Sequence, residues 1–329
     1  MEEEVLTGFW PVYDTWLIQK ITALEAYGAL GWFFGNLIEA IYNIIFAITH
    51  PASWLDWLSW ANTTEDKESL MRFIYYGASV ELFFAVFVLF LIVTTVGLFR
   101  NRFMWGCVRV LEGFANSVGR FFAWAGLLMV LQQIVIIFMQ RVFAVAEISL
   151  GFGAVFTKDV SWWAEELKFY NALVVTLCAT YTFVQGGHVR VDLVYAAVSH
   201  GKKRIIDMFG SLFFMVPAAV LTWMYGWFFM WRHLVVPNPS ASDTLERLVT
   251  KARALRWNVE TIGFSPNGFN AYFLFKVLLV AFTLMVMLQA VAFFYRSYLE
   301  WKEGPDSAGK YLDKDSLGDA QAELVAEIH

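Results

Sequence analysis

Charged side chains are scarce in this sequence. Lys, Arg, Asp and Glu make up 16% of the 329 residues, whereas hydrophobic residues make up 59% and aromatic residues 18%. A globular domain carries about a quarter of its residues as charges, because they solvate its surface. The mean hydropathy is +0.54 and the apolar residues fall into long blocks. We therefore expect lipid rather than water around much of the chain.

Cysteine and histidine are also rare, and their positions argue against several kinds of site. Cys107 and Cys178 lie far apart without C-x-x-C spacing, so the sequence predicts neither a disulfide framework nor a zinc site. A membrane haem would need histidines that face each other inside a helical bundle. The five histidines fall instead in predicted loops or at the ends of predicted spans: His50, His188, His200, His233 and His329. A b-type cytochrome subunit is therefore not expected.

The sequence also lacks the common motifs of hydrolytic enzymes. It contains no Walker A pattern and no H-E-x-x-H. The net charge of -5 leaves no basic surface for nucleic acid. Glu2, Glu3 and Glu4 stand where a secretory signal would be basic, so no cleaved signal is expected. We expect a protein that is not an enzyme and has no cofactor, metal, catalytic residue or nucleic-acid partner.

Long apolar segments are the main feature that the sequence does contain. A helix needs roughly 20 apolar residues to cross the hydrocarbon layer, because every backbone polar group must be bonded internally there. Six segments qualify: residues 23–48, 73–99, 121–138, 169–184, 205–231 and 271–294. The sequence therefore predicts an all-α integral membrane protein with about six transmembrane helices.

Basic residues predict the orientation of these helices, because short cytoplasmic loops retain positive charge. Four follow the second predicted span, namely Arg100, Arg102, Arg109 and Arg120. Four more lie between the fourth and fifth spans, namely Arg190, Lys202, Lys203 and Arg204. Both loops are predicted to be cytoplasmic, which places the N- and C-termini in the cytoplasm. The segment 232–270 is an exception, because it is predicted to be periplasmic and yet is rich in arginine.

Ionisable side chains inside the predicted spans are candidates for function. Glu39 lies near the middle of the first span, and Glu81 lies about a third of the way into the second. Each carboxylate needs a partner at that depth, which either a structural pair or an ion pathway would provide. Lys276 is close enough to the end of the last span to snorkel towards the interface.

Three tryptophans recur every three residues just after the first span. Helical spacing places Trp54, Trp57 and Trp60 on one side of a short amphipathic segment. They either anchor a helix on the membrane surface or belong to an ordinary aromatic belt.

One motif in the second half of the chain is more specific. Residues 185–195 read Q-G-G-H-V-R-V-D-L-V-Y, and I-D-M-F-G at 206–210 then enters an apolar segment. This pattern closely resembles the small-permease family of TRAP (tripartite ATP-independent periplasmic) transporters. The resemblance covers residues 119–298, and further landmarks keep their order along the chain: Arg141, Glu166, Pro217, Glu260 and Lys276. These landmarks are expected to have structural or subunit-interface roles.

The resemblance implies a particular domain organisation and function. Residues 121–300 would form a four-helix core, residues 1–120 an extension with two additional transmembrane helices, and residues 301–329 an acidic cytoplasmic tail. The chain would be a multi-pass subunit of a bacterial inner membrane, surrounded by lipid and scaffolding the large permease subunit. A periplasmic solute-binding protein would deliver a solute, with organic acids as the family-level expectation, and an ion gradient would drive symport.

The resemblance also implies a role for the motif itself. His188, Arg190 and Asp192 are expected to be structural, with Arg190 and Asp192 forming an ion pair or helix-capping contacts. A generic positive cytoplasmic loop is the alternative. Two other functions stay open: a membrane anchor of a redox complex, and an autonomous secondary carrier. The paired repeats and broken spans of many such carriers are not apparent in the sequence.

Overall fold

The computed structural model describes most of the chain between residues 20 and 313. The described ranges are 20–21, 23–24, 26–151, 156–185, 195, 198–263 and 265–313. The motif residues His188, Arg190 and Asp192 lie outside the described residues, so the prediction for them stays a prediction.

Helices dominate the described chain. In chain order the elements are α1 (Ala29–Thr49), α2 (Ala52–Leu55), a 3-10 turn (Asp56–Ser59), α3 (Thr64–Tyr76), α4 (Val80–Phe99), α5 (Asn101–Ile137) with a π-helical end (Phe138–Val142), β1 (Glu147–Leu150), β2 (Phe156–Asp159), α6 (Val160–Leu177), α7 (Ala179–Gln185), α8 (His200–Gly210) with a π-helical turn (Ser211–Met215), α9 (Val216–Arg232), β3 (Val235–Val236), α10 (Leu245–Ala252), β4 (Arg256–Trp257), α11 (Phe273–Glu303) and a 3-10 turn (Pro305–Ser307). The strands form two antiparallel pairs, β1 with β2 and β3 with β4.

Five helical segments are long and apolar enough to cross a membrane. They are Ala29–Thr49, Val80–Phe99, Asn101–Val142, His200–Arg232 and Phe273–Glu303. The helices α6 and α7 make a sixth span if they are counted together, although they are bent by 44°. The prediction of an all-α membrane protein with about six transmembrane helices is therefore confirmed, and the protein is a multi-pass membrane protein.

The described chain divides into two compact units. The first contains the residues up to Phe99 together with Trp223–Glu260, and the second contains Arg100–Thr222 and the residues from Thr261 onwards. Each unit is therefore built from segments that are distant in sequence. The division at residues 120 and 300 that the family resemblance implies stays a prediction.

The first unit joins two membrane helices to a small extramembrane part. Between α1 and α4, Ala40 is buried against Phe84 and Val88. Outside the spans, α3 begins with a capping box in which Thr63 and Asp66 bond each other's backbone N–H groups. The helices α3 and α10 then pack on each other.

Tryptophans complete the C-terminal end of α3. The indole N–H groups of Trp223 and Trp227 donate to the carbonyls of Gly77 (2.7 Å) and Ile74 (2.8 Å). Carbonyls at a helix end have no partner within the helix, so these donors satisfy groups that would otherwise be orphaned. A side chain at Gly77 would collide with Trp227, which explains why glycine ends this helix.

The second unit is a bundle in which α5 contacts α6, α7 and α11. Its apolar core consists of Ala115, Leu177, Val184, Leu278 and Met285. A Cβ at Gly119 would collide with Tyr181. The absence of a side chain therefore lets α5 and α7 approach closely, as small residues do between membrane helices.

Three of the long helical segments are longer than a membrane is thick. The span that includes α5 has 42 residues, the one that includes α8 has 33, and α11 has 31. At about 1.5 Å per residue the first of these is roughly 63 Å long, against about 30 Å of hydrocarbon. The excess of α5 corresponds to its charged N-terminal half, which therefore extends into the aqueous layer.

The structure corrects the second predicted span. Residues 77–79 break the helix, so α3 ends at Tyr76 and the membrane helix begins at Val80. Glu81 consequently lies in the first turn of α4 rather than a third of the way into a span. A carboxylate is favourable near the positive end of the helix dipole.

The predicted basic loop after the second span is also wrong. Residues 101–120 form the first half of α5, without a break before the apolar half. The segment contains no proline, and its ionised residues are accommodated because Arg109 is exposed while Glu112 is paired. Hydropathy alone detects only the apolar half of such a helix.

Two expectations near the C-terminus need correction. Lys276 is in the first turn of α11 but is buried, so it does not snorkel to the interface. The residues from Trp301, assigned above to an acidic tail, continue α11 to Glu303 and then pack against the rest of the second unit as far as Asp313. Charged anchors described below hold this segment.

The tryptophans after the first span do not form a continuous surface helix. Trp54 lies in α2, Trp57 in the following 3-10 turn, and Trp60 has a left-handed backbone with φ 56°. Trp54 and Trp57 pack on Phe73 of α3, with ring centroids 6.4 and 5.2 Å apart. The two rings are therefore half-buried within the first unit, whereas Trp60 is exposed.

Candidate functional site

The second unit buries five ionisable side chains together, on three long helices. Each of the five is at least four-fifths buried. They are Glu112 on α5, Arg204 and Asp207 on α8, and Arg296 and Glu300 on α11. We call these residues the ion-pair network. Charges are rarely buried unless they are paired, so this cluster is the most unusual chemistry in the described part of the unit.

Arg296 is the centre of the ion-pair network. Its Nε donates to Glu112 Oε1 at 2.6 Å and its NH2 group donates to Glu112 Oε2 at 2.5 Å. This bidentate geometry matches the planar guanidinium to the carboxylate. A third contact joins Arg296 to Glu300 at 3.3 Å, one helical turn further along α11. The pair therefore fixes α11 against α5.

Arg204 connects α8 to the same cluster. It forms ion pairs with Glu300 on α11 at 2.6 Å and with Asp207 on its own helix at 3.0 Å. The hydroxyl group of Tyr195 donates to Asp207 at 2.7 Å. His200 adds a contact of 3.3 Å to the backbone carbonyl of Glu300. The carboxylate of Glu300 thus joins the guanidinium groups of two helices.

An aromatic side chain covers the network next to Arg296. The guanidinium carbon of Arg296 lies 5.5 Å from the ring centroid of Trp105 on α5, which is the range of a cation–π contact. The indole N–H of Trp105 donates to Glu303 at 3.0 Å. A ring in this position excludes water and strengthens the electrostatic contacts that it covers.

The segment after α11 closes the same region. Gly304, with φ 88°, ends the helix, and the chain then turns back so that Gly309 N–H donates to Glu300 and Arg296 donates to the carbonyl of Lys310. At its end, Asp313 accepts two hydrogen bonds from Arg120, of 2.8 and 3.0 Å. These hydrogen bonds are the main reason why the pKa of Asp313 is below its ordinary value. We call residues 304–313 the C-terminal strap.

A polar recess lies at the other end of α11. It has a volume of about 720 Å³ and is lined by residues of the β1–β2 hairpin, of α6 and of the loop before α11. Glu165 fastens this loop, because its carboxylate accepts the Phe269 N–H at 3.0 Å. A Cβ at Gly268 would collide with Glu165, so the loop requires glycine there. Asp159 begins α6 by accepting the Ser161 N–H, and the bonds from Ser161 lower the pKa of Asp159.

The landmark residues of the second unit do not form one cluster, and each has its own local surroundings. Glu166 accepts hydrogen bonds from Gln132 at 3.1 Å and, more weakly, from Tyr170 at 3.5 Å, which links α6 to α5. Arg141 is exposed in the π-helical end of α5. Pro217 follows the π-helical turn of the fifth predicted span. Proline lacks the N–H group that would continue the α-helical pattern, which accounts for the irregular turn.

Three landmark or candidate carboxylates belong to the first unit. Glu260 lies 4.0 Å from His233, and its backbone N–H donates to the His233 carbonyl. Glu39 and Glu81 are both half-buried. Burial raises the pKa of Tyr76 above its ordinary value, and the negative charges of Glu81 and Glu39 raise it further. The structure thus associates both candidate carboxylates with the buried Tyr76 hydroxyl.

Sequence reasoning missed the ion-pair network. The predicted last span stopped at residue 294, two residues before Arg296, and Glu112 was assigned to a loop. One signal was available: Arg296 and Glu300 stand at i and i+4, which puts them on one helix face if the helix continues. The partners on α5 and α8 carry no such local signal, because their pairing is tertiary.

The geometry of the site is that of a structural connection between helices, and it does not point to a particular reaction. Two buried guanidinium groups pair with three buried carboxylates and join three helices of a membrane bundle. Within the described ranges, no group of three or more His, Cys, Asp or Glu side chains could hold a metal ion. Comparison with models of protein families, with curated proteins and with solved structures finds no match.

Proposed function

We propose that this chain is the small membrane subunit of a TRAP-type transporter of the bacterial inner membrane. In this function it scaffolds a large permease subunit that carries the solute and ion sites. A periplasmic solute-binding protein delivers the solute, an organic acid, and an ion gradient drives uptake. The chain itself catalyses no reaction, and its termini lie in the cytoplasm.

The ion-pair network carries this proposal on the structural side. A subunit that moves solute or ions needs polar groups that exchange partners along a path. Arg296 instead forms short, buried ion pairs with Glu112 and Glu300. Such contacts fix α5, α8 and α11 in one arrangement, which suits a frame that supports a moving partner.

The exposed apolar faces of the spans are a second support. Only 11% to 33% of the most apolar window of each long span is buried inside the chain. The remaining faces offer large side chains such as Phe121, Trp124 and Leu128 on α5. Lipid can cover these faces, and a membrane partner can replace lipid on part of them.

The resemblance supplies the identity of that partner. The motif at 185–195 and the ordered landmarks Arg141, Glu166, Pro217, Glu260 and Lys276 support a TRAP small permease. An autonomous carrier and a redox anchor are the competing functions.

Affinity purification tests the proposal. A tagged chain is expressed in its native membrane, extracted in mild detergent and isolated under conditions that keep complexes intact. We expect a large multi-pass permease subunit to co-purify in a fixed ratio. Isolation of the chain with a redox enzyme and a Soret absorbance band would reject the proposal in favour of the redox anchor. The Arg190→Ala variant then tests the motif, with reduced co-purification expected.

A further inference from the structure

The segment between α9 and α11 carries positive charge close to a membrane span. Residues 251–257 read K-A-R-A-L-R-W, with three basic residues and no acidic residue. This is the part of the chain whose arginines oppose its predicted periplasmic location. Basic residues normally mark cytoplasmic loops. If this segment is periplasmic, its arginines must have a different role.

Strand pairing holds the end of this segment near the membrane. Arg232 ends α9, and β3 begins three residues later at Val235. Trp257 pairs with Val235 and Arg256 with Val236, and the pairing continues towards the membrane through a hydrogen bond from Glu260 N–H to the His233 carbonyl. His233 and Leu234 form a turn after α9, and three residues span at most about 10 Å even when they are extended, so Arg256 and Trp257 lie within headgroup distance of the end of α9.

The basic side chains of this segment differ in their partners. Lys251 is bound to the buried carboxylate of Asp243 at 2.5 Å, and Arg247 to the same carboxylate at 3.3 Å. Arg253 and Arg256 are exposed. Neither of these two arginines has an ion-pair partner among the residues that the structure describes. Two cationic groups are therefore available to bind an anion.

Two exposed aromatic rings adjoin these arginines. Trp60 stacks on Trp257 with ring centroids 5.5 Å apart and an interplanar angle of 27°. Trp60 is 67% exposed and Trp257 43% exposed. Trp60 also has a left-handed backbone with φ 56°, which is rare for a bulky residue and costs energy. Apolar rings at the surface of an extramembrane part are favourable where they reach the headgroup layer.

We propose that Arg253, Arg256, Trp60 and Trp257 form a binding surface for the headgroups of anionic phospholipids. The guanidinium groups would donate hydrogen bonds to the lipid phosphate, for which their planar geometry is suited. The stacked rings would lie at the headgroup level beside them. This basic-aromatic surface would fix the extramembrane part of the first unit on the membrane.

Besides Asp243, two carboxylates modify the charge around residues 251–257. Glu246 is exposed on α10, and Glu260 is half-buried beside His233. Glu260 is bonded to His233 just after α9, whereas Arg253 lies between α10 and β4 and Arg256 begins β4. The local charge of residues 251–257 therefore stays positive and complements a phosphate group.

Fluorescence quenching by brominated lipid tests the surface in the full-length protein. The chain is reconstituted in phosphatidylcholine vesicles that contain either brominated phosphatidylglycerol or brominated phosphatidylcholine at equal mole fraction. The W60F/W257F variant is measured in parallel, and the difference isolates the contribution of the two rings from the other tryptophans. We expect this contribution to be quenched more strongly by the phosphatidylglycerol probe, and less so at high salt because screening weakens the attraction.

A charge-removing variant decides whether the arginines cause the preference. R253Q/R256Q is expected to lose the preference for phosphatidylglycerol, by about fivefold for each arginine removed. K202Q/K203Q removes the same number of charges from α8 and is expected to keep it. Circular dichroism shows that each variant is folded. Equal quenching by both probes, or a preference that persists in R253Q/R256Q, would overturn the proposal, and the second result would indicate a different anion-binding surface.

Discussion

Replacing Arg296 by methionine is the most severe test of the ion-pair network. The substitution keeps a flexible, unbranched apolar side chain that can pack against Trp105, but it leaves Glu112 and Glu300 without their shared guanidinium. Both carboxylates are almost fully buried. Removing one partner of a buried ion pair typically costs about 3–5 kcal/mol, because an uncompensated charge remains. We expect a loss of unfolding free energy in that range.

The assay is reversible unfolding in mixed micelles, followed by circular dichroism as the fraction of sodium dodecyl sulfate increases. Arg120→Met is the matched control, since it breaks the exposed pair with Asp313, whose side chains are 39% and 54% exposed. An exposed pair contributes about 0–1 kcal/mol, so this control should unfold close to the wild type.

A double variant separates charge burial from side-chain loss. Glu112→Leu with Arg296→Met replaces the pair by apolar groups, and such replacements are often neutral. We expect the double variant to recover a large part of the stability that Arg296→Met loses. If Arg296→Met unfolds within about 0.5 kcal/mol of the wild type, the network does not hold the helices together and the reasoning is refuted.

Three further predictions concern local features. Gly268→Ala places a Cβ against Glu165, so we expect a lower melting temperature and faster proteolysis of the loop before α11, whereas equal proteolysis would contradict the close packing. Thr63→Ala removes an N-cap and should cost about 1 kcal/mol, measured by the same unfolding titration; no change would mean that the capping box is unimportant. Asp313 has a lowered pKa, so its contribution with Arg120 is present above its unfolded value of 3.8 and is lost as the pH falls through the folded value. The melting difference between wild type and Asp313→Asn should therefore be small but measurable at pH 7 and should shrink as the pH falls below 3.8, and a difference that does not change with pH would show that ionisation is irrelevant.

Hydropathy was sufficient to predict the class of fold and the approximate positions of the spans. Each predicted span overlaps an observed helix, because the requirement to satisfy backbone groups in hydrocarbon acts on local composition. Helix ends were less predictable. The helix α5 includes residues 101–120, which are too polar to be detected by hydropathy. The helix α4 begins after a break that Trp223 and Trp227 stabilise, and these two residues are distant from it in the sequence.

The candidate site was less accessible to sequence reasoning than the fold. Glu112, Arg204 and Arg296 are separated by about a hundred residues from one to the next, and no local pattern relates them. Lys276 was expected to snorkel because the sequence indicates how far a residue lies from the end of a span. The sequence does not indicate which face of the helix is buried against its neighbours. Of two neighbouring glutamates, only Glu166 was expected to have a structural or interface role, yet it is Glu165 that fastens the loop before α11.

Uptake by reconstituted vesicles tests the central claim most directly. The chain is incorporated into liposomes alone, together with the large permease subunit that co-purifies with it, or with that subunit and the matching solute-binding protein, under an imposed sodium gradient. We predict accumulation of labelled organic acid only when all three proteins are present, and none with the chain alone. Accumulation by the chain alone would show that it is a carrier in its own right and would contradict its assignment as a scaffold.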